Sequence, residues 1–152
     1  MSKTGSRRLG QGEAIWAAQT VARLLEVAPP PAPPVFLHND LHASNLMVTP
    51  EGAVTALIDW GDAGWGDPVL DLAYAGPLAS PELLRGYREE AELDDGATLR
   101  LLAYLLHHAA RRLGFDPEDH ATDPLYARPG TALMQLLRVS VQFPERREWL
   151  GS

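Results

Sequence analysis

The sequence has 152 residues, of which 45% are apolar and 22% charged, an ordinary composition for a globular domain. It contains no cysteine, which excludes disulfides, thiolate metal sites and cysteine nucleophiles. The formal charge of −7 argues against a nucleic-acid partner, and no apolar run reaches the length of a membrane span. The basic residues near the start are followed by no apolar stretch, so we expect a cytoplasmic protein.

The first part of the chain predicts a tail, a helix and a spacer. Residues 1–10 are polar and are expected to form a disordered tail, with residues 11–152 forming a single domain. Apolar residues recur at helical spacing over residues 12–27. Residues 28–34 contain five prolines, which cannot be helical, so we expect an extended spacer within the domain.

The middle of the chain predicts short strands. Residues 35–37 form an apolar strand, and residues 46–48 and 53–58 form two more around the turn chemistry of residues 49–52. The latter two strands are expected to pair as a hairpin. Residues 59–68 are predicted to be a glycine-rich loop.

The remainder predicts helices. One starts at Val69, and a second begins with a Ser80 cap and ends at about residue 92. A third follows a cap at residue 94 or 95 and presents an apolar face through Leu99, Leu102 and Leu106. A fourth is predicted over residues 131–141. The expected fold class is α+β and mostly helical, with a small β-hairpin.

One segment carries chemistry. His38, Asp40 and Asn45 have the spacing H-x-D-x-x-x-x-N, and Asp59 ends the hairpin that follows. This is the layout of a kinase catalytic loop and its metal-binding aspartate. Three fixed residues in such a window occur by chance in roughly one chain in a hundred of this length. The preceding strand and the following hairpin make the pattern much more specific.

The pattern extends over residues 35–73. Its most characteristic parts are His38-Asn39-Asp40-Leu41-His42, Ile58-Asp59-Trp60 and Asp67-Pro68-Val69-Leu70-Asp71-Leu72-Ala73. This stretch resembles the aminoglycoside phosphotransferase superfamily, which also contains choline, homoserine and fructosamine kinases. The resemblance implies a protein-kinase-like C-terminal lobe whose hairpin carries the catalytic and metal-binding loops. It is specific over about 40 residues and weaker over the helices that follow.

The resemblance also implies the chemistry of the site. Asp40 and Asn45 match catalytic residues, Asp40 being the group that orients the acceptor hydroxyl or accepts its proton. Asn45 and Asp59 match the ligands of Mg²⁺, which prefers hard carboxylate and amide oxygens. The implied cofactors are Mg²⁺ with ATP or GTP, and the implied substrate is a hydroxyl group of a small molecule.

Three further residues match supporting positions. His38 resembles a histidine that braces the loop backbone, and Asp71 resembles a helix aspartate that hydrogen-bonds the loop. Trp60 resembles an aromatic residue packed beneath the metal-binding loop. Asn39 departs from the family's common glycine, although asparagine tolerates a left-handed backbone. Ala43-Ser44 replaces a commoner Pro-Gly-like pair.

Several alternatives remain open. Only 34 residues precede Val35 and Lys3 is the only lysine, so we expect the N-terminal lobe to be absent and the phosphotransferase to be incomplete without it. The sequence is compatible with a fragment of a longer protein, with a short chain completed by a partner, and with a remnant of a kinase. The alternative is a non-enzymatic kinase-like module that self-associates or binds a partner. A metal-dependent hydrolase using His38, Asp40, His42 and Asp59 is a third interpretation.

Other acidic residues and one histidine also have two interpretations. Asp62 and Asp67 favour loop and cap positions over metal ligation. His42 is either a solvated loop residue or reaches the substrate side. Acidic residues within 89–95 would attract an amine-bearing sugar, but a solvated helix face explains them equally well. The substrate therefore cannot be read from the sequence.

Overall fold

A computed structural model describes residues 11–31 and 33–115. The predicted tail over residues 1–10 and the predicted helix over residues 131–141 lie outside these residues. In chain order the elements are α1 (Gln11–Val27), β1 (Val35–Leu37), a short 3₁₀ helix (Ala43–Asn45), β2 (Leu46–Val48), β3 (Val54–Leu57), β4 (Gly64–Gly66), α2 (Val69–Tyr74), α3 (Ser80–Glu90) and α4 (Ala97–Phe115). Four helices and two small antiparallel sheets thus make an α+β arrangement in this part of the chain.

The predicted hairpin forms from β2 and β3. Leu46 is opposite Leu57 in the antiparallel register, and a bulge follows Met47. The turn closes because the Gly52 N–H donates to the Thr49 carbonyl at 2.9 Å, with Gly52 at a φ of +90° that favours glycine. The prediction of two strands around residues 49–52 is confirmed.

The glycine-rich segment was expected to be a loop throughout, and this was wrong for three residues. Gly64–Gly66 form β4, which pairs antiparallel with β1 and places Trp65 opposite Phe36. A Cβ at Gly66 would lie 2.7 Å from Leu37 Cδ1, so only glycine fits without displacing that side chain. Gly66, one of the glycines that suggested a loop, is instead required because Leu37 of the neighbouring strand approaches its backbone closely.

The core is built around α4. Helix α1 packs on one side of it, and α2, which also contacts α3, packs on another. The predicted face of α4 is only part of the buried surface, because Leu101, Leu105 and Ala109 bury a second face against α2 and α3. No helix in the described part of the chain is both long and apolar enough to cross a membrane.

Ser80 was predicted to cap α3, and this was wrong. Ala79 occupies the cap position without a side-chain hydrogen bond, and Ser80 is buried as the first helical residue. Its hydroxyl lies 2.8 Å from the Leu72 carbonyl and 2.7 Å from the Gly76 carbonyl. Carbonyls at the end of a helix lack intrahelical donors, so Ser80 satisfies the end of α2 instead of the start of α3.

A buried ion pair joins the start of α2 to α4. Arg100 Nε donates to Asp67 Oδ2 at 2.6 Å, and both side chains are buried. Arg100 also donates to both carboxylate oxygens of Asp94 at 2.7 Å and to the Pro29 carbonyl at 2.8 Å. The hydrogen bonds with Asp94 raise the pKa of Arg100 most, followed by the hydrogen bond with Asp67 and the charges of both carboxylates, while burial opposes the shift. Tyr104 donates to Asp67 Oδ2 at 3.1 Å.

Removal of the buried cation should be far more damaging than removal of an exposed one. Arg100→Met leaves the Asp67 carboxylate buried without its partner, and we expect a loss of about 3–5 kcal/mol in the free energy of unfolding. Arg85→Met is the matched control, because Arg85 pairs with Glu82 and Glu89 on an exposed helix face. That change should cost less than about 1 kcal/mol. Urea unfolding measures both, and equal losses would contradict the assigned role of Arg100.

Tyr104 should make stability fall at alkaline pH. Burial, followed by the charge of Asp67 and the hydrogen bond to it, raises the pKa of Tyr104 from 10.0 to about 12. Between these values the unfolded chain loses the phenolic proton while the folded chain keeps it, so stability decreases as pH rises. The stability advantage of the wild type over Tyr104→Phe should shrink by roughly 1–2 kcal/mol from pH 9.5 to 12, allowing for solvent screening of the partly exposed ring. Chemical denaturation of both proteins across this pH range tests the prediction. A difference in their free energies of unfolding that does not change with pH would contradict it.

Candidate active site

The candidate loop is attached to α2 by a single carboxylate. The His38 N–H donates to Asp71 Oδ2 and the Asn39 N–H donates to Asp71 Oδ1, each at 2.7 Å. Asp71 lies between Val69 and Leu72, which are buried in the core. The two charge-assisted hydrogen bonds therefore fix the first residues of the loop to a helix that packs in the core.

The ring of His38 links the loop to the end of β3. It is buried, with Nε2 2.8 Å from the Ile58 carbonyl and Nδ1 accepting from the Asp40 N–H at 3.3 Å. Because Nδ1 accepts, the hydrogen-bond network assigns the ring proton to Nε2, which then donates to Ile58. Both ring nitrogens are occupied in this neutral form, so His38 has none left for a metal.

Asn45 lies at the end of the 3₁₀ helix and is buried with only 7% of its surface exposed. Its Nδ2 donates to the Asp40 carbonyl at 3.0 Å and to Asp40 Oδ2 at 3.1 Å. A carbonyl only accepts, so this contact fixes the orientation of the amide. The opposite atom, Asn45 Oδ1, accepts no hydrogen bond from the described residues. It is a buried acceptor that is free to bind a cation.

Asp59 lies next to Asn45 through the hairpin. The Ile58 N–H donates to the Asn45 carbonyl at 2.9 Å, which continues the register of β2 and β3 and brings Asp59 to the same end. Asp59 has a φ of +63°, a left-handed conformation, and its exposed carboxylate has no hydrogen bond within the described residues. The hairpin thus ends in an exposed, unpaired carboxylate.

These two side chains fit a magnesium ion by their donor chemistry. One amide oxygen and one carboxylate are what Mg²⁺ takes from a protein when phosphates and waters supply its other ligands. Within residues 11–31 and 33–115, no group of three His, Asp or Glu side chains could hold a metal ion. The hydrolase interpretation requires such a cluster of protein ligands for a transition metal.

Asn39 joins the two loops of the site. It has a φ of +63°, and its Nδ2 donates to the Asp62 carbonyl at 3.0 Å. The backbone at residue 39 thus adopts the conformation that glycine favours, which asparagine also tolerates. The side chain adds a tie to the segment after Asp59 that glycine could not provide.

Trp60 covers one side of His38. The two ring centroids are 4.8 Å apart in an edge-on arrangement, and Trp60 stacks nearly parallel to Phe36 at 6.2 Å. The indole N–H donates to the Leu57 carbonyl at 2.9 Å. The ring remains 47% exposed, so it packs at the edge of the site and is not enclosed beneath it.

Two features of the site were not specified by the sequence interpretation. His42 contacts Asp40 directly, with Nε2 3.2 Å from Asp40 Oδ2. Asp67 accepts from the Val69 N–H at the start of α2, and it also forms the buried ion pair with Arg100. One feature of the sequence indicated the contact of His42, namely its position two residues after Asp40 in the same loop. Nothing in the sequence indicated the partner of Asp67, which is 33 residues away.

Comparison with known protein families places the site in context. A family model described as the phosphotransferase enzyme family matches residues 3–105, which is more than half of the chain. No curated protein matches the chain, and no solved structure does. The matched segment includes the whole of the loop, the hairpin and α2.

Asp71→Asn should loosen the loop without unfolding the core. Asparagine offers one acceptor oxygen, so one of the two backbone N–H groups would face an amide NH₂, at a cost of about 1–3 kcal/mol. Amide hydrogen exchange at His38 and Asn39 should accelerate by about tenfold or more, since 1.4 kcal/mol is tenfold. Asp62→Asn is the control, because the Asp62 side chain is exposed and forms no hydrogen bond with the described residues. Faster exchange throughout α4, or unchanged exchange at residues 38 and 39, would contradict the local role.

Proposed function

Because the chain belongs to the phosphotransferase enzyme family, we propose that it transfers the γ-phosphoryl group of ATP or GTP to a hydroxyl group of a small molecule. The observation that carries the proposal is the arrangement of Asp40, Asn45 and Asp59. Asn45 contacts Asp40 through its amide nitrogen and leaves its oxygen free, and its backbone carbonyl accepts from the N–H of Ile58, the residue before Asp59.

The chain's own residues supply positioning and charge. The Asp40 carboxylate, anchored by Asn45, orients the acceptor hydroxyl and takes its proton as the oxygen bonds to the γ-phosphorus. The bond from the γ-phosphorus to the bridging oxygen breaks, and the nucleoside diphosphate leaves. Asn45 Oδ1 and Asp59 would hold Mg²⁺, which when bound neutralises charge on the phosphate oxygens. The buried His38 and the partly buried Asp71 keep these groups in place before the nucleotide binds.

The charge of the loop explains why we propose a contribution from a second lobe. Residues 35–66 contain no lysine or arginine, so the loop and the hairpin offer acidic and neutral groups only. A nucleoside triphosphate also needs cationic side chains around its phosphates. We therefore propose that a kinase-like N-terminal lobe completes the phosphate site.

A non-enzymatic kinase-like module is the second candidate. The observation that favours it is a group of three exposed aromatic residues beside the site, Phe36, Trp60 and Trp65, with 57%, 47% and 73% of their surfaces exposed. Phe36 contacts both tryptophans, at centroid distances of 6.2 and 5.7 Å. Exposed apolar groups of this kind are typical of surfaces that bind other proteins.

Magnesium-dependent nucleotide binding tests the enzymatic proposal. We expect the 152-residue chain to bind ATP or GTP more tightly with Mg²⁺ than without it, and Asp59→Ala to reduce the magnesium-dependent affinity by about tenfold or more. Asp62→Ala is the matched control, because it removes a carboxylate of equal charge three residues away. Its contact with Asn39 uses the backbone carbonyl, which the substitution retains. Isothermal titration calorimetry measures the nucleotide affinity of all three proteins with and without Mg²⁺.

Equal losses in the two variants would indicate a general charge effect and contradict the metal-binding role of Asp59. No binding by the wild type at millimolar nucleotide would show that this chain alone does not form the site. That result would favour the module, and the search would move to the partner that binds it.

A further inference from the structure

His42 forms a hydrogen-bonded chain with its neighbours in the loop. Its Nε2 lies 3.2 Å from Asp40 Oδ2, and its Nδ1 lies 2.8 Å from Ser44 Oγ. Asn45 Nδ2 reaches the same Asp40 oxygen at 3.1 Å. His42 and Asn45 therefore converge on a single oxygen of Asp40, and Ser44 extends the chain through His42.

The partners determine where the protons lie. The carboxylate of Asp40 only accepts, so in neutral His42 the proton is on Nε2 and Nδ1 accepts the hydroxyl proton of Ser44. The separation of 3.5 Å between Asn45 Nδ2 and His42 Nε2 then reflects two donors that share one acceptor. Both nitrogens of the His42 ring therefore have a matching partner: Nε2 donates to Asp40 Oδ2, and Nδ1 accepts from Ser44 Oγ.

This arrangement distinguishes the two oxygens of Asp40. Two donors occupy Oδ2, whereas Oδ1 forms no hydrogen bond with the described residues. Two donors on one oxygen also fix the rotation of the carboxyl group, which a single donor would leave free to turn. Oδ1 is therefore the oxygen available to an incoming hydroxyl group.

We propose that His42, oriented by Ser44, is a positioning residue that fixes the Asp40 carboxylate so that Oδ1 receives the proton of the acceptor hydroxyl. The inference rests on the proposed phosphotransfer. As the hydroxyl oxygen bonds to the γ-phosphorus and the bond to the bridging oxygen breaks, its proton passes to Asp40 Oδ1. His42 keeps its own proton throughout and acts only through Asp40.

Two observations favour this role over that of a solvated loop histidine. The side chains of His42 and Asp40 are 38% and 35% exposed, so they share a surface that an acceptor can reach while remaining in contact with each other. Ser44 also stands at one of the two positions where this loop departs from the common Pro-Gly-like pair. A glycine there would leave His42 Nδ1 without its partner.

Steady-state hydrolysis of Mg-ATP, with water in place of the unidentified acceptor, provides the kinetic test. His42→Leu removes the donor, and we expect kcat to fall by about tenfold or more because the carboxylate loses its orientation. KM for ATP should change by less than about threefold, since the proposed role of His42 involves no contact with the nucleotide. His42→Gln should restore kcat to within about threefold of the wild type, because a glutamine Nε2–H can reach the position of the histidine Nε2–H.

A second measurement needs no activity. The ring ¹⁵N shifts of His42 at pH 8 should show the Nε2–H tautomer predominating in the wild type, and a mixture of tautomers in Asp40→Asn. Thermal unfolding of each variant shows whether it is folded, and we expect small shifts because His42 is partly exposed.

The outcomes separate the two proposals. Unchanged kcat in His42→Leu, or a fall that His42→Gln does not restore, would overturn the positioning role. A tautomer mixture in the wild type equal to that in Asp40→Asn would overturn it as well. If the wild type hydrolyses no nucleotide, phosphotransfer by this chain alone is rejected, and the ¹⁵N measurement still decides whether His42 orients Asp40.

Discussion

Two consecutive backbone N–H groups, those of His38 and Asn39, depend on one carboxylate, that of Asp71. A partly buried backbone donor without an acceptor costs free energy, and here both donors lie where the chain leaves β1 and starts an irregular loop. Asp71 can serve both because its helix is fixed by the core. The position of every other group in the loop follows from this attachment, since Asp40 and His42 lie within four residues of it.

The support for the site continues inward from Asp71. The start of α2 is held by Asp67, which is paired with the buried Arg100 of α4, and Arg100 also reaches the carbonyl of Pro29. On the other side of the loop, the ring of His38 donates to Ile58 and so sets the end of β3 before Asp59. Buried charges and a buried ring thus hold the polar groups of the site, which range from the buried Asn45 to the exposed Asp59. Such preorganisation is what electrostatic catalysis requires, because the groups need not reorganise during reaction.

The sequence predicted the features that depend on local chemistry. The hairpin from β2 to β3, the position of β1 and the start of α2 follow from apolar runs and turn residues. Strand β4 did not, because the need for Gly66 arises from Leu37, which is distant in sequence. The second face of α4 was missed because a helix buried on two sides no longer shows a single stripe. The ion pair of Arg100 was missed because its partner Asp67 is 33 residues away, and no local pattern indicates such a pair.

Both departures from the common loop pattern add side-chain contacts that the common residues could not make. Asn39 retains the left-handed backbone that glycine would adopt and also donates to the Asp62 carbonyl. Ser44 brings a hydroxyl to the Nδ1 of His42, whose other nitrogen contacts Asp40. Glycine at either position would give the loop more conformational freedom and fewer partners. The two departures therefore have the same effect. Each reduces the conformational freedom of the backbone and adds a hydrogen bond, which restricts the conformations of the loops that carry Asp40 and Asp59.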